Sequence, residues 1–133
     1  MSYRVTRSAE GRPSIILHDE PPHVVALDSA PPAREPELGA GQWLVMPFAA
    51  WSVPDIAAIQ TALKAVEHFA GTLKLGLRPY DSPDEHGAWC PAIAGDDESP
   101  LWLLLDDGDV RMKRSGFLTA DDLVAAIGAA RRA

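Results

Sequence analysis

The spacing of apolar residues predicts two amphipathic helices. Between Ser52 and Ala70, apolar residues recur every three or four positions and form one stripe, made of Ile56, Ile59, Leu63, Val66 and Phe69. Gly71 follows and is typical of a residue that ends a helix. A second helix is predicted from Thr119 to Arg132, with an apolar stripe of Leu123, Ile127 and Ala130. Each stripe predicts a helix that covers a sheet.

Apolar runs predict the strands of a mixed sheet of four or five strands. Leu101–Leu105 is apolar throughout, which is typical of a central strand covered on both faces. Asp106–Asp109 contains a glycine and predicts a tight hairpin turn into the next strand. The other predicted strands are His23–Asp28, 42–51 and 72–81. We expect the two helices to pack on opposite faces of this sheet, which gives an α/β fold.

Prolines modify this pattern at two places. Pro47 lies inside the strand predicted over 42–51, where it cannot donate a ladder hydrogen bond. Either the strand is bulged there, or pairing on one side stops before Pro47. The segment Ala30–Glu37 holds three prolines and predicts a loop with polyproline II character.

Length and composition indicate one soluble globular domain of 133 residues. We divide it into an N-terminal extension, 1–22, with a short strand predicted at Ser14–His18, and a main part, 23–133. The net charge of −7 argues against a nucleic-acid surface, which needs clustered basic residues. No apolar run is long enough for a membrane span, and no export signal is recognisable, so a cytoplasmic, bacterial-type protein is expected.

Several segments follow one another in an informative order from about His23 to the C-terminus. They are the apolar run that ends at Trp51, the helix from Asp55, the strand that ends at Asp81, Ser99-Pro100 with the strand after it, and 114–118 before the last helix. Their order and spacing resemble the thioredoxin-like superfamily. The resemblance implies a thioredoxin-like fold, a central mixed sheet flanked by helices, and a cis Ser99-Pro100 peptide bond.

The sequence departs from this family at its redox centre. The segment 51–55 reads Trp-Ser-Val-Pro-Asp where the family carries Trp-Cys-x-Pro-Cys, so Ser52 and Asp55 occupy degenerate redox positions. Dithiol exchange needs one thiol to attack and a second to resolve the mixed disulfide, and neither position supplies one. The acid that the family buries ahead of this site aligns with Met46. We therefore expect a protein that is redox-inactive, has no cofactor and is not an enzyme.

Ser52 and Asp55 have a structural interpretation that we favour over a catalytic serine. Their spacing is that of a helix-capping box, in which each side chain accepts from the backbone of the other residue.

The single cysteine, Cys90, leaves a second function open. A lone cysteine is more often a small buried apolar residue than a reactive thiol, and we favour that interpretation. The residues before it, Asp81, Asp84, Glu85 and His86, lack the repeated ligand spacing of a zinc site and predict a solvated loop.

The resemblance also implies a surface that binds extended peptide. In thioredoxin-like folds the loop before the active-site helix, the cis-proline loop and a later glycine turn meet in a shallow apolar groove. The matching positions here are Trp51, Val53, Pro54, Ser99, Pro100, Ser115, Gly116 and Phe117. Backbone groups beside a cis-proline and two flanking aromatic residues suit peptide capture by strand-like pairing. The alternative is that Trp51 and Phe117 only cover the end of the helix.

These observations favour an accessory or chaperone-like protein that binds a protein or peptide partner. Two alternatives stay open: a thiol enzyme that uses Cys90, and a structural module that forms a homo-oligomer.

Overall fold

A computed structural model describes residues 3–18, 23–27, 41–69, 71–96 and 98–132. In chain order the elements are β1 (Tyr3–Arg7), β2 (Pro13–Leu17), β3 (Val24–Ala26), β4 (Gln42–Ala49), α1 (Val53–His68), β5 (Lys74–Tyr80), α2 (His86–Trp89), β6 (Leu101–Asp106), β7 (Asp109–Ser115) and α3 (Ala120–Arg132). Single 3₁₀ turns lie on either side of α2. The loop predicted over Ala30–Glu37 and the predicted helix end at Ala70 lie outside the described residues.

Five strands form one mixed sheet in the order β3-β5-β4-β6-β7. The first three are mutually parallel, whereas β6 runs antiparallel to β4 and β7 antiparallel to β6. Strand β6 has a partner on each side, and its residues Leu101–Leu105 are buried. The prediction of a central apolar strand is therefore confirmed.

Pro47 limits the pairing of β4 on one side. The antiparallel ladder with β6 ends at Val45, opposite Leu103, whereas the parallel ladder with β5 continues to Ala49. The second of the two predicted alternatives is correct: pairing stops before the proline. The end of β4 is consequently free of β6 just before the chain turns into α1.

Helices α1 and α3 pack on the same face of the sheet, so the prediction of opposite faces was wrong. Ile59 of α1 and Ile127 of α3 share one core with Leu44 and Met46 of β4. The alternate residues of β4 point to the second face, where they meet Cys90, Ile93 and the inner residues of β6. An apolar stripe shows which face of a helix is buried, but it does not show which face of the sheet receives it.

The ends of these elements follow local rules. The turn between β6 and β7 is closed by Asp107 at φ +50° and Gly108 at φ +90°, which confirms the predicted hairpin turn. At the start of α3, Thr119 Oγ1 accepts from the backbone N–H of Asp122 at 3.1 Å. Gly71, at φ +87°, follows the end of α1.

The strands β1 and β2 form a separate antiparallel hairpin that packs on the same core. Ile15 of β2 is 4% exposed and belongs to the core beneath α1, and Tyr3, Val5 and Leu17 pack against that core. Only the second of these strands was predicted from the sequence. Residues 3–17 therefore bury apolar surface against the rest of the chain.

Candidate functional site

The first part of the site is the N-terminus of α1, which directly follows β4. Ser52 is the helix cap, and its Oγ accepts from the backbone N–H of Asp55 at 3.3 Å. The Asp55 carboxylate accepts from the N–H of Ala49 at 2.9 Å. The predicted capping box is thus half formed: Asp55 binds the end of the strand, and the N–H of Ser52 donates to the carbonyl of Ala49 instead. Asp55 is 2% exposed, so its carboxylate serves here to hold strand and helix together.

Three apolar side chains near this helix and on the loop before α3 are strongly exposed. Trp51 is 66% exposed, Val53 76% and Phe117 65%. Pro54 is exposed as well. Such exposure is more than a residue that only packs over the helix end would show, so it favours the binding interpretation of Trp51 and Phe117 over the packing one. Among the described residues the aromatic ring contacts include no pair between Trp51 and Phe117, so these two residues do not support each other directly.

The second part of the site is the turn that leads into β6. The Ser99-Pro100 peptide bond is cis. The carbonyl of Pro100 accepts from the N–H of Gly116 at 2.9 Å, and the carbonyl of Gly116 accepts from Trp102 Nε1 at 2.8 Å. These bonds bring the proline turn and the glycine turn together, as the resemblance implied. They also engage the Pro100 carbonyl within the chain.

Tyr80, at the end of β5, joins the two parts and was missed by sequence reasoning. Its carbonyl accepts from the N–H of Ala50 at 2.9 Å, beside Trp51. Its phenol is buried. Burial raises the pKa of Tyr80, and the side chain of Ser99 opposes that rise. The only sequence signal was the position of Tyr80 at the end of an apolar strand, next to Asp81.

Arg78 and His86 form a polar cluster next to Tyr80 on the second face of the sheet, the face away from α1 and α3. His86 is fully buried, its Nδ1 lies 3.4 Å from Arg78 Nη1, and its ring meets the ring of Tyr80 edge to face at 4.4 Å. Burial, followed by the nearby Arg78 guanidinium, lowers the pKa of His86 to about 4. Burial likewise lowers the pKa of Arg78 to about 10. The imidazole is therefore neutral near pH 7 and accepts from Arg78 through Nδ1.

The loop before Cys90 differs from its prediction, and the environment of Cys90 agrees with the interpretation that we favoured for that residue. We predicted a solvated loop, but of Asp81, Asp84, Glu85 and His86 only Asp84 is exposed, and His86 lies in the interior. The Cys90 thiol is also fully buried, among Trp43, Ile93 and apolar residues of β6. In the part of the chain that the structure describes, no three His, Cys, Asp or Glu side chains are grouped as metal ligands.

Comparison with known proteins identifies the fold. No protein-family model matches the chain, and no curated protein matches it. Solved structures do match. A malarial protein aligns at 16% identity and a TM-score of 0.55, covering 67% of this chain and 96% of its own. Thioredoxin-2, described as a component of the malaria parasite protein secretion machinery, aligns at 16% identity and a TM-score of 0.56, covering 67% of this chain and 82% of its own.

Chloroplastic thioredoxin z aligns at 17% identity and a TM-score of 0.57, covering 73% of this chain and 84% of its own. Together with the five-stranded mixed sheet, these matches confirm the predicted α/β, thioredoxin-like fold. In addition, none of the described helices is long and apolar enough to cross a membrane.

Proposed function

We propose that this chain is a redox-inactive member of the thioredoxin-like superfamily that binds an extended peptide segment of a partner protein. It would act as an accessory or chaperone-like factor rather than as an enzyme. The observation that carries the proposal is the exposure of three large apolar side chains, Trp51, Val53 and Phe117, at two of the loops that the resemblance names. They are half of the large apolar residues that are exposed in the described structure, the others being Ile16, Val25 and Val110.

These loops suit an extended apolar peptide for two reasons. Aromatic residues are enriched where proteins bind one another, and a ring that is already open to solvent needs no rearrangement to receive a partner. Ser99 precedes Pro100, whose carbonyl accepts from the N–H of Gly116, the residue before Phe117, and no hydrogen bond within the described residues engages the backbone N–H and C=O of Ser99. Those two groups can pair with one residue of a bound strand, while its side chains contact Trp51 and Phe117.

The chemistry of the same segment argues against dithiol exchange. Ser52 is used as a helix cap and Asp55 as an acceptor for Ala49, so neither residue is available as a nucleophile and resolving group. Cys90 is fully buried, which disfavours the alternative of a single-cysteine thiol enzyme. The homo-oligomer stays a prediction without a supporting observation.

The binding half of the proposal is tested by selecting peptides from a random display library against the wild-type protein. The selected peptide is then titrated into ¹⁵N-labelled protein. We expect the largest amide shifts at 50–54, 98–101 and 115–118. Shifts confined to other surfaces would overturn the proposed site.

The redox half is tested with the insulin-reduction assay, in which dithiothreitol is the reductant. We expect no acceleration over buffer by the wild-type protein. Turnover that survives Cys90→Ser would contradict the proposal, because no other thiol exists in the sequence. Turnover that is lost in Cys90→Ser would favour the thiol enzyme.

A further inference from the structure

The N-terminal hairpin, residues 3–17, contacts the segments beside Trp51, although Trp51 lies far from it in sequence. The indole Nε1 of Trp51 donates to the backbone carbonyl of Asp81 at 2.8 Å. This bond fixes one edge of a side chain whose apolar surface is otherwise open to solvent. The orientation of Trp51 therefore depends on where Asp81 lies, in the loop that follows β5.

Asp81 is in turn held by Arg7 of the hairpin. Both terminal nitrogens of Arg7 donate to the Asp81 carboxylate, at 2.9 and 2.8 Å, and Nη1 also donates to the carbonyl of Gly11 at 2.9 Å. The guanidinium is thus bound on one side to its own hairpin turn and on the other to the loop. Two parallel hydrogen bonds fix the orientation of the Arg7 and Asp81 side chains as well as their distance, whereas a single hydrogen bond fixes only the distance.

Two further contacts connect the hairpin to the same region. Arg12 pairs with Glu85 at 3.1 Å, and the second carboxylate oxygen of Glu85 accepts from the N–H of Asp81 at 2.9 Å. On the other side, the Tyr3 hydroxyl donates to the carbonyl of Ile56, in the first turns of α1, at 3.1 Å. The hairpin therefore contacts both segments beside Trp51, the start of α1 and the loop after β5.

We propose that the N-terminal hairpin is a positioning element of the peptide-binding site, and that Arg7 fixes the orientation of Trp51 through Asp81. The effect on peptide affinity rests on the proposed function, whereas the orientation of Trp51 is a property of the free protein. Arg7 and Asp81 have side chains that are 52% and 40% exposed, and ion pairs at such positions add little to folding stability. The contact affects peptide affinity instead, because a Trp51 ring that already has its bound orientation loses less conformational entropy on binding.

The first experiment measures Trp51 directly, without a ligand. The Trp51 indole N–H resonance is assigned by its loss in Trp51→Phe, and its hydrogen exchange is then compared across variants. We expect Arg7→Ala to accelerate this exchange. Arg4→Ala, on the exposed face of the same strand, is the matched control and should leave the exchange unchanged. Unchanged exchange in Arg7→Ala would overturn the proposal.

Asp81→Asn is a second variant in case Arg7→Ala disturbs the hairpin more widely. It keeps the backbone carbonyl that receives Trp51 and removes the charge that Arg7 binds. We expect it to accelerate the indole exchange as Arg7→Ala does, with no further effect when the two changes are combined. Additive effects of the two changes would contradict coupling through this pair.

The second experiment measures the affinity of the library-selected peptide. We expect Arg7→Ala to weaken binding by about two- to tenfold, the range for ordering one large side chain, and Arg4→Ala to leave it unchanged. If Arg7→Ala accelerates indole exchange without changing the affinity, the positioning does not serve binding and the proposal fails. If Trp51→Ala itself leaves the affinity unchanged, the proposed function fails, whereas the exchange result still decides the positioning of Trp51.

Discussion

The fold opposes the protonation of His86. It is fully buried between Arg78 and the ring of Tyr80, and the carboxylates of Asp96 and Glu85 only partly offset the effect of that environment on its pKa. No sequence pattern places His86 in the interior, because a histidine among Asp, Glu and Gly is typical of a surface loop. It is the first residue of the short helix α2, and Cys90 and Ile93, which follow that helix, pack on the second face of the sheet.

We predict that stability falls as the pH is lowered from about 6.5 to about 4, the ordinary and the folded pKa of His86. In that range the unfolded chain takes up a proton that the native protein does not, so the free energy of unfolding declines by at most roughly 3 kcal/mol. Urea unfolding at several pH values measures this. His86→Gln, which keeps an acceptor for Arg78, should flatten the dependence. An equally steep decline in the variant would contradict this assignment.

Ser52 provides a second test at the scale of one residue. If it caps α1, Ser52→Ala should lower the free energy of unfolding by about 1 kcal/mol, because the N–H of Asp55 loses its acceptor. Ser52→Asn retains a cap acceptor and is expected to restore most of that loss. Urea unfolding of both variants is the measurement, and equal destabilisation by Ala and Asn would contradict the cap.

At the scale of elements, apolar periodicity was sufficient to locate both long helices and the central strand. It could not place α1 and α3 on the same side, because that depends on the connections around the sheet. It also missed β1, where apolar Tyr3 and Val5 alternate with Arg4 over too few residues to stand out.

The positions on the three site loops were predicted by resemblance, whereas Tyr80 and Arg7 required the fold, since their contacts join residues distant in sequence.

The hairpin offers a prediction at this scale. Ile15→Ala should destabilise the protein by roughly 2–4 kcal/mol, because it leaves a cavity in the core beneath α1. Ile16 is the matched control: it is 38% exposed on the same strand, and its replacement by Ala should change stability by less than about 1 kcal/mol. Thermal and urea unfolding compare the two variants. Equal, small effects would mean that the hairpin is not part of the cooperative unit.

At the scale of the whole molecule, a thioredoxin-like framework is combined with a site that lacks the family's thiols. A fold of this kind positions loops at one end of its sheet, and the side chains on those loops determine what the site does. Here the positions that would hold thiols support the start of α1, while Trp51, Val53 and Phe117 stay exposed around them. This arrangement is what the proposed function requires: exposed apolar side chains for binding and no thiol for exchange.

The most direct test measures stability and peptide affinity on the same variants, Trp51→Ala and Phe117→Ala. Val110→Ala, an apolar residue that is 37% exposed on the edge strand β7, is the control. We predict that each aromatic truncation costs at least about 2 kcal/mol of binding, a loss of roughly thirtyfold. The free energy of unfolding should change by no more than about 1.5 kcal/mol, the upper value for the one hydrogen bond that Trp51→Ala removes. A loss of several kcal/mol in stability, with affinity per folded molecule unchanged, would contradict the account.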